Sequence, residues 1–343
     1  MKKIVLVLIF LVSLQNLIIK AQTNDKEDAV PKLSNPISES WLKETLSGSS
    51  PRMVFNKSIV EDLKIKLETD PVIKNMYEAI KLNAYQILDQ PLLERVQTGK
   101  RILDVSRTML LRINLLGVVY LLEEDQVILE RIDQEVRAVC SFTDWNPSHY
   151  LDVAEMSMAV AFALDWTLDQ LPKKTIKLAK ETLINKGIYP SWPEYGGKNQ
   201  WWVKGHNNWN QVCHGGMIAA SIAIADEEPG LAVQTINRAL DGLPVALSQY
   251  MPDGVYPEGP GYWNYGTSFS VATAAMLETA FGSDFGITNY PGFISSAMFK
   301  VMCTSPSGFY YNFSDCGDKR GGSGDNILAW FAAKTGNRIY FEK

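Results

Sequence analysis

From Lys57 to Gln170 apolar residues recur at i, i+3, i+4 and i+7, the spacing that lines one face of a helix. The pattern predicts helices over Val60–Leu67, Val72–Leu88, Ile102–Leu122 and Val127–Cys140. It continues through Val153–Leu171 and, after a Pro-Lys-Lys break, through Thr175–Lys186. No alternation of period two competes with it. Gly187–Gly205 breaks the pattern with Gly, Pro and Trp and reads as a long structured loop, a common place for function. Helices resume over Trp209–Ala225 and Gly230–Gln249. A second turn-rich aromatic loop is expected from Tyr250 to Gly266, then helices over Ser268–Phe281, Ile294–Met302 and Asp325–Thr335.

Ten or eleven helices joined by short turns define an all-α chain. A series of helix hairpins this long suits an (α/α) barrel or toroid, and a helical solenoid fits the periodicity equally. Sustained heptads and the short repeats of known helical arrays are both missing.

The N-terminus has a separate character. Lys2 and Lys3 precede an apolar run from Ile4 to Leu14, and Ala21 offers a small residue for cleavage, so Met1–Ala21 reads as a signal peptide. The expected location is periplasmic or secreted. No other segment is expected to reach the length of a membrane span. Residues 22–50 are polar and read as a linker docking loosely on a domain that runs from 51 to 343.

Composition adds exclusions. The 343 residues carry 46% hydrophobic and 21% charged side chains, an ordinary globular balance. The formal charge is −5. Cleavage at Ala21 would remove three lysines and no acid, leaving −8. An acidic chain argues against nucleic acid as the partner, but a local basic pocket can still take an acidic glycan. Cys140, Cys213, Cys303 and Cys316 are far apart without metal-ligand spacing, and both disulfides and buried free thiols fit them. Neither a metal nor a cofactor is called for within the chain. Nucleotide and nucleophile-elbow motifs are also missing.

Three histidines stand against nine tryptophans and fourteen tyrosines. Five of the tryptophans, with His206 and His214, fall between Trp192 and Trp263, which makes this window the candidate site. Aromatic faces beside polar loops are platforms for the C–H faces of sugars. The competing reading is that large aromatics fill the core of a helical fold. In Lys204–Gln211, the run His206, Asn207, Asn208, Asn210, Gln211 at a helix start exceeds what capping needs. Its amides and imidazole, with the positive helix end, suit a carboxylate. Tyr256, Tyr262 and Tyr265 in the next loop supply phenols for acid or base work. His214, before Gly215-Gly216, reads as packing between helices, and His149 as a cap or surface residue.

At these residues the sequence resembles the heparinase II/III-like polysaccharide lyases, over most of 50–335. Four stretches carry the likeness: Pro51-Arg52-Met53-Val54; Gly205-His206 before a helix ending Ile222-Ala-Ile-Ala-Asp-Glu; the turn Glu258-Gly-Pro-Gly-Tyr262; and Asn312-Phe-Ser-Asp315. The resemblance implies an (α/α) toroid that cleaves 4-linked uronic-acid glycans by β-elimination. It gives Tyr262 the role of catalytic tyrosine, protonating the leaving O4 and, for some epimers, taking the C5 proton. His206 is the other base candidate, and His206 with Asn207 or Asn208 would neutralise the substrate carboxylate. Trp201, Trp202, Trp209, Tyr256, Glu258, Trp263 and Tyr265 would line the glycan path. Where heparinase II has a glutamate after the histidine, this chain has Asn208-Trp209, closer to the alginate- and heparinase III-type members. The resemblance also implies a β-sandwich domain after the toroid. This sequence stops at Lys343 without one, the pattern of a truncated or inactive member.

Two other classes compete. An (α/α)-barrel glycoside hydrolase needs two carboxylates about 6.5–9.5 Å apart across a cleft. Its candidates are Asp253, Glu258, Asp315 and Asp318. A glycan-binding protein without catalysis needs only the aromatic platform.

Overall fold

The computed structural model describes residues 30–317 and 325–340. The proposed signal peptide, residues 22–29 of the linker, and Asp318 lie outside these. Two isolated bridges, Thr98 with Arg101 and Thr304 with Tyr310, are the only β pairings among the described residues. The chain is all-α, with twelve α-helices among the described residues.

In order these are α1 Glu39–Thr45, α2 Lys57–Thr69, α3 Pro71–Leu88, α4 Leu103–Glu123, α5 Gln126–Cys140 and α6 Leu151–Trp166. There follow α7 Lys173–Thr182, α8 Asn208–Ile224, α9 Pro229–Leu247, α10 Gly259–Phe281, α11 Ser296–Met302 and α12 Asp325–Thr335. Local chemistry sets several starts. Asn56 accepts a hydrogen bond from the Ile59 amide, Asp70 caps α3 ahead of Pro71, and Asp125 caps α5.

Helices α4, α6, α8 and α10 pack side by side in that order, with α3 and α5 against α4, α9 against α8, and α11 and α12 against α10. Every residue of α6 is buried, and every residue of α8 except Trp209. Helices apolar all round belong in the middle of a layered fold. α5, by contrast, is amphipathic, burying Ile128, Ile132, Val136 and Val139 and exposing Gln126, Glu130 and Arg137. Glycines make the inner crossings close. A Cβ on Gly216 would stand 2.3 Å from the Ala154 carbonyl oxygen, and one on Gly215 would meet Thr273 Oγ1 at 2.8 Å.

The inner helices run parallel, because their ends share partners. At the C-terminal end, Asp165 of α6 accepts hydrogen bonds from the Arg52 and Met53 amides at 2.8–3.0 Å. Arg52 Nη2 donates to the Ile222 carbonyl of α8 and to Asp226, and the Val54 amide donates to Thr279 of α10. Pro51-Arg52-Met53-Val54 is thus a strap across three helix ends.

Three expectations change. From Leu33 onward the linker is packed rather than loose. Leu33, Ile37 and Leu42 are buried, and Trp41 of α1 lies against Phe281 and Phe285. The second loop is shorter than its Gly and Pro content implied: α10 begins at Gly259, since Pro260 sits in its first turn, where a missing amide costs nothing. Tyr262, Trp263 and Tyr265 are therefore helical. Third, α4 is long and apolar enough to cross a membrane by length and composition, and half of that stretch is buried.

Candidate functional site

The N-terminal ends of the four inner helices meet at the opposite end from the strap. The Ile102 amide, just ahead of α4, donates to Asp152 Oδ2 of α6 at 2.7 Å. Asn208, first residue of α8, donates through Nδ2 to Glu258 Oε2, just ahead of α10, at 3.3 Å. Deeper by about a turn, Glu155 Oε1 of α6 accepts from Tyr265 of α10 at 2.5 Å and from Arg107 Nε of α4 at 3.3 Å. The positive ends of four helix dipoles gather here, with Asp152 and Glu258 among them and Asn207 capping α8.

A polar network joins α8 to α10. The Tyr256 hydroxyl donates towards Glu258 Oε2 and Gln211 Oε1, both at 3.3 Å. Gln211 Nε2 donates to the Tyr250 hydroxyl at 2.8 Å and Ser270 at 2.9 Å, and Tyr250 pairs with Thr267 at 2.7 Å. The helices come this close because Gly266 has no side chain; a Cβ there would stand 2.2 Å from Gln211 Oε1. Burial raises the Tyr250 and Tyr256 phenols above their ordinary values, so both stay protonated donors.

The sequence-derived residues divide. Tyr262 is half-buried on α10, and its hydroxyl makes no hydrogen bond to a described residue. His206 is exposed, with only Gln249 Nε2 near its Nδ1 at 3.4 Å. Asn207 takes the bland role: its side chain caps α8 by accepting from the Trp209 amide. Asn208 is buried and committed in part to Glu258. Trp201 is 51% exposed and rests on Trp209, ring centroids 4.9 Å apart. Trp202 and Trp263 have no exposed surface. Trp202 stacks on Tyr150 and bonds the Asn199 carbonyl, and Trp263 packs against Phe331, so neither presents a face to a ligand. Tyr256 is buried in the network, and Tyr265 is committed to Glu155. The last motif lies against the first turn of α10: Gly259, at φ +86°, would bring a Cβ to 2.9 Å from Cys316 Cβ and the Phe313 carbonyl.

Of the hydrolase candidates, Asp253 is exposed and accepts from the Val255 amide inside its own turn, and Asp315 is exposed. Only Glu258 of the described three joins the polar network. The four cysteines are free thiols, with Cys140, Cys213 and Cys316 buried.

Sequence reasoning passed over a second cluster. His149 is buried, not a surface cap. Its Nδ1 lies 2.7 Å from Asp152 Oδ1, its ring meets the edge of Trp209 at 4.7 Å, and its Nε2 is buried without a partner. The legible signal was spacing: His149, Asp152 and Glu155 stand three apart, two of them as carboxylates in the first half of a mostly apolar helix. His214 does pack between helices. It contacts the Val203 carbonyl through Nε2 at 3.1 Å, and burial pulls its pKa down to about 3, so it stays neutral and takes no proton near neutrality.

No protein-family model matches this chain, and no curated protein matches it. The likeness to the heparinase II/III-like lyases rests on the four motifs alone.

Proposed function

We propose that the two helix layers form an incomplete (α/α) toroid, and that the chain is an exported polysaccharide lyase acting on 4-linked uronic-acid glycans. One observation carries the reading: the half-buried Tyr262, Asn208 and the exposed Trp201 resting on half-buried Trp209 share the N-terminal end of the inner helices. Trp201 holds a sugar face. The second N–H of Asn208, His206 and the helix N-termini draw charge from the uronate carboxylate, which acidifies C5–H. The Tyr262 oxygen takes that proton as the C4–C5 double bond forms and C4–O4 breaks, and returns it to the leaving O4. His206, exposed and lightly held, takes the C5 proton where the epimer puts it beyond Tyr262.

A non-catalytic glycan-binding reading is favoured by one observation, that Asn207 and part of Asn208 are already engaged. Incubation with heparin, heparan sulfate and alginate, followed by the ultraviolet band of the unsaturated uronate, separates the two. The lyase reading expects a rise on at least one polymer and its loss in Tyr262→Phe. No rise on any, with binding retained, leaves the binding protein.

A further inference from the structure

We infer that Arg107, braced by Glu155 and Tyr265, is an anion subsite that grips a ring oxyanion, carboxylate or sulfate, on a sugar next to the one that reacts. This rests on the uronate-glycan reading and names how the charge of the polymer is recognised.

The geometry is a built one. The Arg107 side chain is 47% exposed, while its ion-pair partner Glu155 is 2% exposed. Arg107 Nε donates to Glu155 Oε1 at 3.3 Å, and the guanidinium carbon lies 5.0 Å from the centre of the Tyr265 ring. Tyr265 in turn donates to the same carboxylate oxygen. A solvated surface arginine needs none of this. Sinking a carboxylate into the protein costs free energy, and here the cost fixes one guanidinium from its inner edge and across its flat face. Three inner helices contribute: α4 the arginine, α6 the acid, α10 the phenol. What stays open is the outer part of a planar group whose donors match an oxyanion two at a time.

A second observation points the same way. Lys100 and Arg101, both exposed, lead into α4 at this end. Their backbone is held by α6 and its approach: Asn146 Nδ2 donates to the Lys100 carbonyl at 2.8 Å, and the Ile102 amide to Asp152. The nearest acid in sequence, Asp104, lies in the groove shared with residues 91–98 instead. On a chain of charge −5, two exposed basic residues leading into the helix that carries Arg107 add to its pull on an anionic polymer.

The test measures binding in a Tyr262→Phe background, so that no turnover intervenes. The probes are polymannuronate fragments, which carry carboxylates only; dextran sulfate, which carries sulfates only; and neutral dextran. Arg107→Ala should weaken at least one charged probe by about tenfold or more and leave dextran unchanged. Arg107→Lys, which keeps the charge beside Glu155, should recover only part of the loss. Which charged probe responds identifies the oxyanion. Thermal melting verifies folding, and if Arg107→Ala fails to fold, Arg107→Lys carries the comparison. Unchanged affinity for both charged probes, or no binding of either by the folded parent, overturns the subsite. Arg107-dependent binding without any unsaturated product from the unmutated chain would retire the lyase reading and keep the subsite. Product formed by the Arg107→Ala chain at an unchanged KM would do the reverse.

Discussion

Tyr265 donates its phenolic hydrogen to Glu155 Oε1 at 2.5 Å, tying α10 to α6 across the flank of α8. Burial and the neighbouring carboxylate raise the Tyr265 phenol far above its ordinary value, so it acts only as a donor. Tyr262, one turn earlier, has no such commitment. Tyr265→Phe should cost about 1.5–3 kcal/mol in urea unfolding, the worth of a hydrogen bond to a buried charge. In a Glu155→Gln background the same change should cost only about 1 kcal/mol. Equal costs in the two backgrounds would show that the pair is not coupled.

Gly216→Ala should be among the most damaging small substitutions in the chain. Its Cβ would meet three Ala154 backbone atoms, the oxygen at 2.3 Å and the carbonyl carbon and Cα at 2.7 Å. Backbone cannot rotate away as a side chain can, so α6 and α8 would have to separate along a fully buried seam. A loss of about 3 kcal/mol is expected. Gly48→Ala, with nothing within 4 Å, is the control and should shift the melting temperature little.

Helix existence was written in the periodicity because most of these helices bury one stripe, and α5 shows how plainly. The limits were less legible. Gly259, Pro260 and Gly261 look like a turn in sequence, and become helix because the first turn tolerates proline and Cys316 packs where a Cβ would be. The polar linker hid three buried apolar residues, Leu33, Ile37 and Leu42, too widely spaced to form a periodic signal. At the candidate site, composition singled out a window but could not sort its tryptophans. Trp201 and Trp202 are neighbours in sequence, yet one faces solvent and the other the core. His149 was missed although its spacing to Asp152 and Glu155 was legible, whereas Arg107 and Glu155 lie far from Tyr265 in the chain and only the packing of α4, α6 and α10 brings those three together.

That sorting of the tryptophans is open to direct measurement. Trp201→Ala removes a half-exposed ring that rests on Trp209, and should weaken glycan binding with a stability loss under about 1 kcal/mol, as for exposed positions in general. Trp202→Ala empties a fully buried site stacked on Tyr150 and should cost about 3–5 kcal/mol. Denaturant titration and glycan affinity, taken on both variants, should therefore move in opposite proportions. A Trp201→Ala protein that binds every glycan as the parent does would remove the platform from the site.

Two buried groups at different depths of the inner layer should give stability an unusual response to acid. His214 is held neutral, with its pKa down at about 3 from an ordinary 6.5. The unfolded chain therefore takes up its proton first, and this contribution to stability is complete above pH 6.5 and drains away as pH falls below it. Asp165 behaves in the opposite sense. Burial pushes its carboxyl up to about 6 from an ordinary 3.8, against the pull of the Arg52 and Met53 amides. The folded chain takes up that proton first, so a penalty present above pH 6 is relieved as pH falls towards 3.8. Each group is worth about 1.4 kcal/mol per pH unit inside its window, so between pH 6 and 4 the two run to about 3 kcal/mol with opposite signs and nearly cancel. Single variants should uncover each one. Asp165→Asn should lose about 3 kcal/mol more than the parent on going from pH 6 to pH 4, because only the histidine's response remains. His214→Gln should lose less than the parent by a similar amount. Urea unfolding of the three proteins at half-unit steps of pH gives the difference profiles directly, and other titrating groups drop out of each comparison. Profiles that run parallel to the parent's would show that neither group has the folded-state affinity for protons that its burial implies.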